Sequence, residues 1–111
     1  MKLIRAIIRS ESTPRVIEAL EKNSIFAMTR MNVTGRGKEM GIIQGSIRYT
    51  EMPKEMLMIV LPDDVVTKAV RVIETAARTG KKDYPAAGNP GDGKIFVSDV
   101  EESRTIRTGE K

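Results

Sequence analysis

The sequence consists of two successive halves, and each half has the pattern of a strand, a helix and a second strand. Residues 2–9 open the first half with an alternation of apolar and mixed residues that predicts a strand with one dry face. A helix is predicted from Pro14, after a Thr13 N-cap, to Asn23, because Pro favours the first helical position and apolar residues then recur at helical spacing. Residues 25–33 predict the second strand. The dry face of the first strand is formed by Ile4, Ala6 and Ile8.

The second half repeats this plan. Residues 55–61 predict a strand that is largely buried on both faces, and residues 62–64, Pro-Asp-Asp, open a helix with acidic capping residues. Gly80 is expected just past the end of this helix, and residues 94–98 predict the last strand. The element order is βαββαβ. Right-handed crossovers then give an α+β fold of the ferredoxin-like kind, an antiparallel sheet with both helices on one face.

The face of this sheet that the helices leave open carries apolar side chains. Ile7, Met58 and Val60 are predicted to lie there. A contiguous apolar surface of that kind marks an interaction site, and a second subunit is the simplest cover for it. The sequence therefore predicts an oligomer.

The composition excludes several classes of protein. The chain has no cysteine and no histidine, which removes disulfides, thiolate metal sites, Ser-His triads and the commonest metal ligand. Its apolar stretches are too short to span a membrane, and the charges in residues 1–5 argue against a signal peptide, so we expect a cytoplasmic protein without membrane insertion. Trp is absent and Tyr and Phe number two each, which is too few for a base-stacking surface, so no nucleic-acid partner is expected. The net charge of +4 fits a small ligand that bears phosphate as well as it fits a polymer.

Two glycine–basic segments stand at matching positions in the two halves. Gly35-Arg36-Gly37-Lys38 begins a glycine-rich stretch over residues 35–54 that predicts a long loop, and Gly91-Asp92-Gly93-Lys94 ends a second long loop over residues 80–93. Glycines let backbone N–H groups approach an anion, and Lys or Arg adds positive charge. Each segment alone also fits a plain turn, flexible for the first and hairpin-like for the second. Their matching positions favour an anion site, which we expect between neighbouring subunits.

The sequence favours ligand binding over catalysis. No nucleophile stands with a base, and no acidic pair lies in an obviously dry setting. Arg107, in the polar tail, has two interpretations. It is either a solvated residue or, if a phosphate lies nearby, a bidentate clamp.

Several of these segments resemble the PII signal-transduction proteins, the nitrogen regulatory protein P-II family. The resemblance is collinear and covers nearly the whole chain, and the fold of that family is the βαββαβ order given above. It implies a single PII-like domain over residues 1–111. It is carried by residues 1–9, Met-Lys-Leu-Ile-Arg-Ala-Ile-Ile-Arg, by the Gly-Arg-Gly-Lys segment, by residues 76–81, Ala-Ala-Arg-Thr-Gly-Lys, by residues 91–98, Gly-Asp-Gly-Lys-Ile-Phe-Val-Ser, and by residues 106–110, Ile-Arg-Thr-Gly-Glu.

The resemblance implies a homotrimer with three nucleotide sites in the clefts between subunits. ATP and ADP would compete there, and Mg²⁺ with ATP would permit 2-oxoglutarate to bind, so that the protein reports nitrogen status. In the terms of the family, residues 36–54 would be the T-loop, residues 80–93 the B-loop and residues 101–111 the C-terminal loop. The T-loop would change shape with the ligand and dock onto a target protein.

The functional residues of the family carry over by position. The nucleotide would contact Ile7, Thr29, Gly35, Gly37, Lys38, Gly91, Asp92, Gly93, Lys94 and Arg107. 2-Oxoglutarate would contact Glu39, Gly41 and Lys54, and Glu39 would help to hold Mg²⁺ beside the ATP phosphates. The target would be met by Ile43, Ser46, Arg48 and Tyr49. These roles are chemically sensible, because polyphosphate favours N–H nests and cations, and Mg²⁺ neutralises the remaining charge.

The chain departs from the family pattern in its loops. Glu39 stands where the family has a glutamine, and a second negative charge beside a dianion opposes 2-oxoglutarate binding. Met40 replaces a lysine, and Thr105 replaces an arginine that would contact phosphate. The B-loop is longer than usual and the T-loop is shorter. Because neither Tyr49 nor Ser46 stands in the setting of a modified residue, we expect no covalent modification.

Three segments look most like the nif-operon branch of the family, found in methanogenic archaea and some anaerobic bacteria. They are residues 35–38, residues 51–56, Glu-Met-Pro-Lys-Glu-Met, and residues 105–109, Thr-Ile-Arg-Thr-Gly. Members of that branch act in pairs of related subunits and switch off nitrogenase by binding it. The leading interpretation is a non-enzymatic sensor, either a homotrimer or a trimer mixed with a sister subunit, that controls a target such as nitrogenase. The alternative is a weak nucleotide hydrolase, for which Glu39 and Asp92 are the nearest candidates to activate a water.

Overall fold

The elements of the computed structural model follow the predicted order. The structure describes residues 1–43, 46–80 and 88–111, and for residues 38–43 and 46–50 it describes the backbone alone. Within these ranges the elements are β1 Lys2–Arg9, a 3₁₀ turn Ser10–Ser12, α1 Thr13–Lys22, β2 Thr29–Ile43, β3 Ser46–Leu61, α2 Asp63–Ala77 and β4 Gly93–Asp99. This order confirms the βαββαβ arrangement. No helix of these described ranges is long and apolar enough to cross a membrane.

The four strands form one antiparallel sheet in the order β2-β3-β1-β4, which confirms the ferredoxin-like topology. Both helices pack on the same face, because apolar residues of the two helices join the dry face of β1 in one core. Burying such a face provides most of the stabilisation of a small domain. The core consists of Ile4, Ala6, Ile8, Val16, Leu20, Ile25, Leu57, Ile59, Val66, Ala69, Ile73 and Ala77.

The opposite face of the sheet remains uncovered in the single chain. The register pairs Ile7 with Met56 and Arg5 with Met58, so these side chains share the face that points away from the helices. Val60 and Phe96 on this face are 46% and 47% exposed. The prediction of an apolar open face is therefore confirmed within one chain.

The prediction of a long loop over residues 35–54 is wrong. β2 and β3 continue to pair out to Ile43 and Ser46, with an irregularity between Lys38 and Ile42. β1 ends at Arg9, opposite Lys54, so residues 34–43 and 46–53 form a two-stranded ribbon that projects beyond the sheet. A hydrophobic alternation reports burial of one strand face. The ribbon has no helix layer beneath it, so it lacks the alternation that would have predicted strands.

Smaller differences concern the ends of elements. β2 begins at Thr29 rather than at residue 25. The N-cap of α1 is Ser12, not Thr13, because the 3₁₀ turn already leads the chain into helical geometry. Pro62 occupies the N-cap position of α2, and the side chains of the two following aspartates do not cap the helix. Instead, they place negative charge in the first turn, where the helix dipole favours it.

Candidate functional site

A cleft lies on the open face of the sheet at the end of β1. The register pairs Arg9 with Lys54 on β3 and Ile8 with Gly93 on β4, so both neighbours of β1 bring functional residues to this end. The cleft has a volume of about 340 Å³, which is in the range of small-molecule sites. It is lined by Ile7, Gly35, Arg36, Gly37, Lys54, Gly91, Gly93, Lys94 and Phe96.

The two glycine–basic segments meet in this cleft within one chain. The sequence instead predicted that they would meet between neighbouring subunits. The correction follows from topology, because β3 and β4 flank β1 on its two sides. The base of the ribbon and the start of β4 therefore lie at the same end of the sheet.

The second segment is a turn whose backbone requires glycine. Gly91 and Gly93 have φ values of 91° and 128°, in the region that side chains other than glycine rarely adopt. A Cβ on Gly93 would lie 2.0 Å from the carbonyl oxygen of Ile7. The turn is therefore pressed directly against the backbone of β1. The Asp92 N–H donates to the Asn89 carbonyl at 3.1 Å and closes the turn.

The carboxylate of Asp92 organises the turn from behind. It accepts hydrogen bonds from the Thr79 N–H at 2.9 Å, the Thr79 hydroxyl at 2.5 Å and the Asn89 N–H at 2.8 Å. Burial pulls the pKa of Asp92 upward, but the hydrogen bonds from Thr79, Asn89 and Arg9 outweigh it and hold that pKa below its usual range. Asp92 does not line the cleft. This geometry does not support a direct phosphate contact, and it leaves the carboxylate engaged rather than available to activate a water.

Arg9 completes this arrangement. Its Nε lies 3.1 Å from Asp92 Oδ1, and its Nη2 donates to the Pro90 carbonyl at 2.7 Å. Neither Arg9 nor Thr79 was among the predicted site residues. One feature of the sequence could have indicated the role of Arg9. It is a cationic residue at the end of the alternating strand β1, and one of the few acidic residues near the glycine turn, Asp92, is available to pair with it.

Lys54 connects the two glycine segments. Its side chain is 7% exposed, and its Nζ donates to the Gly91 carbonyl. Its stem crosses Gly35, where a Cβ would lie 2.9 Å from the Lys54 Cγ. Gly35 therefore provides room for the lysine, and the lysine ties β3 to the turn.

The chemistry of the cleft suits an anion with several oxygens. Arg36, Lys54 and Lys94 supply three cationic side chains, and the turn supplies closely approachable backbone. In the described part of the chain, no group of three or more Asp or Glu residues is placed to hold a metal ion.

The structure brings together most of the predicted nucleotide residues that it describes. Ile7, Gly35, Gly37, Gly91, Gly93 and Lys94 line the cleft, together with Lys54 from the predicted 2-oxoglutarate set. Arg36, which was predicted only as part of the first glycine–basic segment, lines it as well, and so does Phe96, for which no ligand contact was predicted. Thr29 and Arg107 are exposed and do not line the cleft of their own chain. The structure describes only the backbone at the remaining predicted site residues, so their ligand and target contacts stay predictions: Lys38, Glu39, Gly41, Ile43, Ser46, Arg48 and Tyr49.

Comparison with known proteins identifies the family of the chain. The family model described as nitrogen regulatory protein P-II matches residues 1–110. The chain belongs to the P-II family. This match confirms the resemblance to the P-II family that was inferred from short segments such as the two glycine–basic segments and residues 106–110. The match covers both halves of the fold.

Relatives of this P-II protein come from methanogens. It is 47% identical over 109 residues to the nitrogen fixation nifHD1 region GlnB-like protein 1 of Methanosarcina barkeri, covering 98% of this chain and 96% of the relative. It is 44% identical over 108 residues to the nifHD region glnB-like protein 1 of Methanococcus maripaludis, covering 97% and 95%. It is 40% identical over 114 residues to the nitrogen regulatory protein P-II 2 of Methanothermobacter thermautotrophicus, covering 99% and 92%.

These comparisons confirm two further predictions. Relatives at 41–47% identity carry the name of nif-region GlnB-like proteins, as expected for the nif-operon branch. The names of the family and of the relatives are those of regulatory proteins, so this P-II protein is a regulator rather than an enzyme.

Proposed function

We propose that this P-II protein binds ATP or ADP in the cleft at the end of β1. The observation that carries the proposal is the meeting of both glycine–basic segments, with three cations, in one cavity. Arg36, Lys54 and Lys94 would neutralise the polyphosphate, and the glycine turn would let N–H groups approach it. Ile7 and Phe96 offer an apolar surface for the base.

The proposal includes a trimer. The open face of the sheet exposes Val60, Phe96 and Met31, and copies of the same chain would cover it. Thr29 and Arg107 do not reach the cleft of their own chain, which supports a site that a neighbouring subunit completes. Sedimentation of the wild-type chain should give the mass of three chains, and Val60→Glu on the open face should shift the distribution toward monomer. A wild-type monomer would contradict this assembly.

2-Oxoglutarate is the proposed second ligand. Its carboxylates would have to take the Lys54 ammonium from the Gly91 carbonyl, which would couple oxo-acid binding to the position of the turn. The charge of Glu39 opposes this step. Glu39→Gln should therefore strengthen 2-oxoglutarate binding in the presence of Mg²⁺ and ATP. If the same variant instead abolished a measurable ATP turnover, the sensor interpretation would be wrong.

The ribbon is the proposed target-binding element. It projects from the edge of the nucleotide cleft, and Gly35 to Gly37 belong to both. A ligand that stabilised one ribbon conformation would shift the population available to a target. Since the relatives are named for nitrogen fixation regions, we propose nitrogenase as that target. The proposed trimer consists either of this chain alone or of this chain with a sister subunit, and its proposed location is the cytoplasm.

Calorimetric titration tests the nucleotide site. Wild-type protein should bind ADP and Mg²⁺-ATP, and Lys94→Met should bind both at least about tenfold more weakly, because a charge-assisted phosphate contact is lost. Lys68→Met on the exposed surface of α2 is the matched control and should bind like wild type. Absence of nucleotide binding by wild type would overturn the proposal, and equal binding by Lys94→Met would place the nucleotide elsewhere.

A further inference from the structure

A partly buried ion pair ties the end of β1 to the glycine turn behind the cleft. The side chains of Arg9 and Asp92 are each 15% exposed, and Arg9 does not line the cleft itself. We propose that Arg9 is a positioning residue that holds the Gly91–Lys94 turn in the shape that receives the nucleotide phosphates. This inference rests on the proposed function, since it assigns the control of that same site.

The turn needs an external tie. Gly88, Gly91 and Gly93 all have positive φ, so the segment contains three residues with unusually large conformational freedom when it is not held. The hydrogen bonds described within the turn itself join only Asp92 and Asn89: the Asp92 N–H donates to the Asn89 carbonyl, and the Asn89 N–H donates to the Asp92 carboxylate. An arginine anchored on a central strand of the sheet supplies the rigidity that the segment lacks.

The guanidinium group is suited to this role by its geometry. Nε faces the Asp92 carboxylate, while Nη2 reaches the Pro90 carbonyl on the other arm of the turn. A planar fork with several fixed donors can serve two acceptors at once, whereas a lysine ammonium is a single flexible point charge. Arg9 thus fixes the distance between the two arms of the turn, in addition to placing a positive charge beside Asp92.

Arg9 also corrects the electrostatics of the site. Asp92 places a negative charge directly behind a turn that is proposed to receive phosphates, and that charge would repel them. The adjacent guanidinium compensates it, so the organising carboxylate can remain ionised. Removing Arg9 should therefore weaken phosphate binding twice, through a looser turn and through an uncompensated charge.

The experiment compares Arg9→Met, Arg9→Lys and the control Arg71→Met, which alters an exposed arginine on α2. Amide hydrogen exchange of residues 88–94 is measured without ligand, and the affinity for ADP is measured by calorimetry. Arg9→Met should speed exchange of the turn at least about tenfold and weaken ADP at least about tenfold, with helix exchange unchanged. The exchange rate of the turn and the affinity for ADP should lie between those of wild type and Arg9→Met in Arg9→Lys, and they should equal those of wild type in Arg71→Met.

A double-mutant cycle with Asp92→Asn shows whether Arg9 acts through Asp92. The double variant Arg9→Met/Asp92→Asn should bind ADP no more weakly than about the weaker single variant, since both changes disable one pair. ADP without Mg²⁺ is included because a metal-ligand role for Asp92 would affect only the Mg²⁺-dependent complex. Full additivity of the two losses would contradict a shared role.

Three other results would overturn the proposal. Arg9→Met with wild-type exchange and wild-type ADP affinity would show that the ion pair does not position the turn. Weaker ADP binding with unchanged exchange would show a direct ligand contact instead. If wild type itself did not bind ADP, the proposed function would fail and the binding role of Arg9 with it, and the exchange data would then report only a structural tie.

Discussion

The two Gly-x-Gly-Lys segments have the same pattern of residues but opposite local structures. Gly35 and Gly37 lie in the extended backbone of β2 and pair with Met52 and Thr50 of β3. Gly91 and Gly93 form a turn with positive φ at both glycines. One segment is a strand that runs along the cleft, and the other is a turn that closes its end.

The difference shows that glycine is present for different physical reasons in the two segments. At Gly93 the backbone conformation and the Ile7 carbonyl both exclude a side chain. At Gly35 the conformation is ordinary, and the glycine makes room for the stem of Lys54. Alanine substitutions should therefore separate the segments, and the expected effects follow in order of size.

Gly93→Ala should have the largest effect. Its Cβ would lie 2.0 Å from the Ile7 carbonyl oxygen, and φ of 128° is strained for any side chain. We expect a loss of more than about 3 kcal/mol in the free energy of unfolding, together with loss of nucleotide binding. Urea denaturation at fixed protein concentration measures the loss in the free energy of unfolding. A loss below about 1 kcal/mol would mean that the turn is not pressed against β1.

Asp92→Asn should have the second largest effect. We expect it to lower the free energy of unfolding by about 2 kcal/mol near neutral pH, because several hydrogen bonds to one carboxylate are weakened. The pKa of Asp92 is lowered by folding. Its contribution is therefore fully present above the unfolded pKa, about 4, and is lost as pH falls through the lower folded pKa. The stability gap between wild type and Asp92→Asn should shrink between pH 5 and strongly acidic pH, taken as about pH 2.

Asp99→Asn is the matched control for this prediction. Asp99 pairs with Lys2, but its side chain is 79% exposed, so its substitution should change stability by less than about 1 kcal/mol. A gap for Asp92→Asn that did not depend on pH would indicate that the carboxylate charge has no part in holding the turn.

Gly35→Ala should have a smaller effect. The new methyl group would meet only the flexible stem of Lys54, at 2.9 Å, so the lysine must shift while the backbone remains. We expect about 1 kcal/mol of destabilisation and a change in ligand affinity, because Lys54 is displaced from Gly91. If stability and affinity both stayed at the wild-type level, Lys54 would not be positioned by this contact.

Gly37→Ala should be nearly neutral for stability, within about 0.5 kcal/mol, because Gly37 is an exposed residue of ordinary strand backbone. Ligand affinity is the more informative measurement, since Gly37 also lines the cleft. A loss of affinity without loss of stability would indicate close approach of the ligand to the backbone at this position.

The sequence predicted the body of the fold well. β1 has the predicted bounds, and Ile4, Ala6 and Ile8 form its buried face as expected, because burial of one face leaves a clear alternation. α1 ends before Asn23 and α2 occupies the predicted stretch for the same reason. Wherever the core dictates the residue type, periodicity alone was sufficient.

The ribbon and the Arg9–Asp92 pair could not be predicted, because they depend on interactions that produce no periodic pattern in the sequence. The ribbon is held by backbone hydrogen bonds between β2 and β3, which any residue except proline can make. Arg9 and Asp92 are 83 residues apart in the sequence, and no local pattern reports their pairing. The family resemblance supplied the predicted ligand residues, whereas Arg9 and Thr79, which contact Asp92 behind the turn, became visible only from the structure.

The ribbon has a mechanical consequence. The segment of the ribbon from Pro53 to Ser46 is about 23 Å long, at roughly 3.3 Å per residue, and it lies beyond the last residue of β1. The base of the ribbon lies in the cleft, so a rotation of the ribbon would pivot at the proposed ligand site. A rotation of about 10° at the pivot would carry the far end through about 4 Å, given that length. A displacement too small to alter the sheet would thus be large enough to change which surface a partner meets.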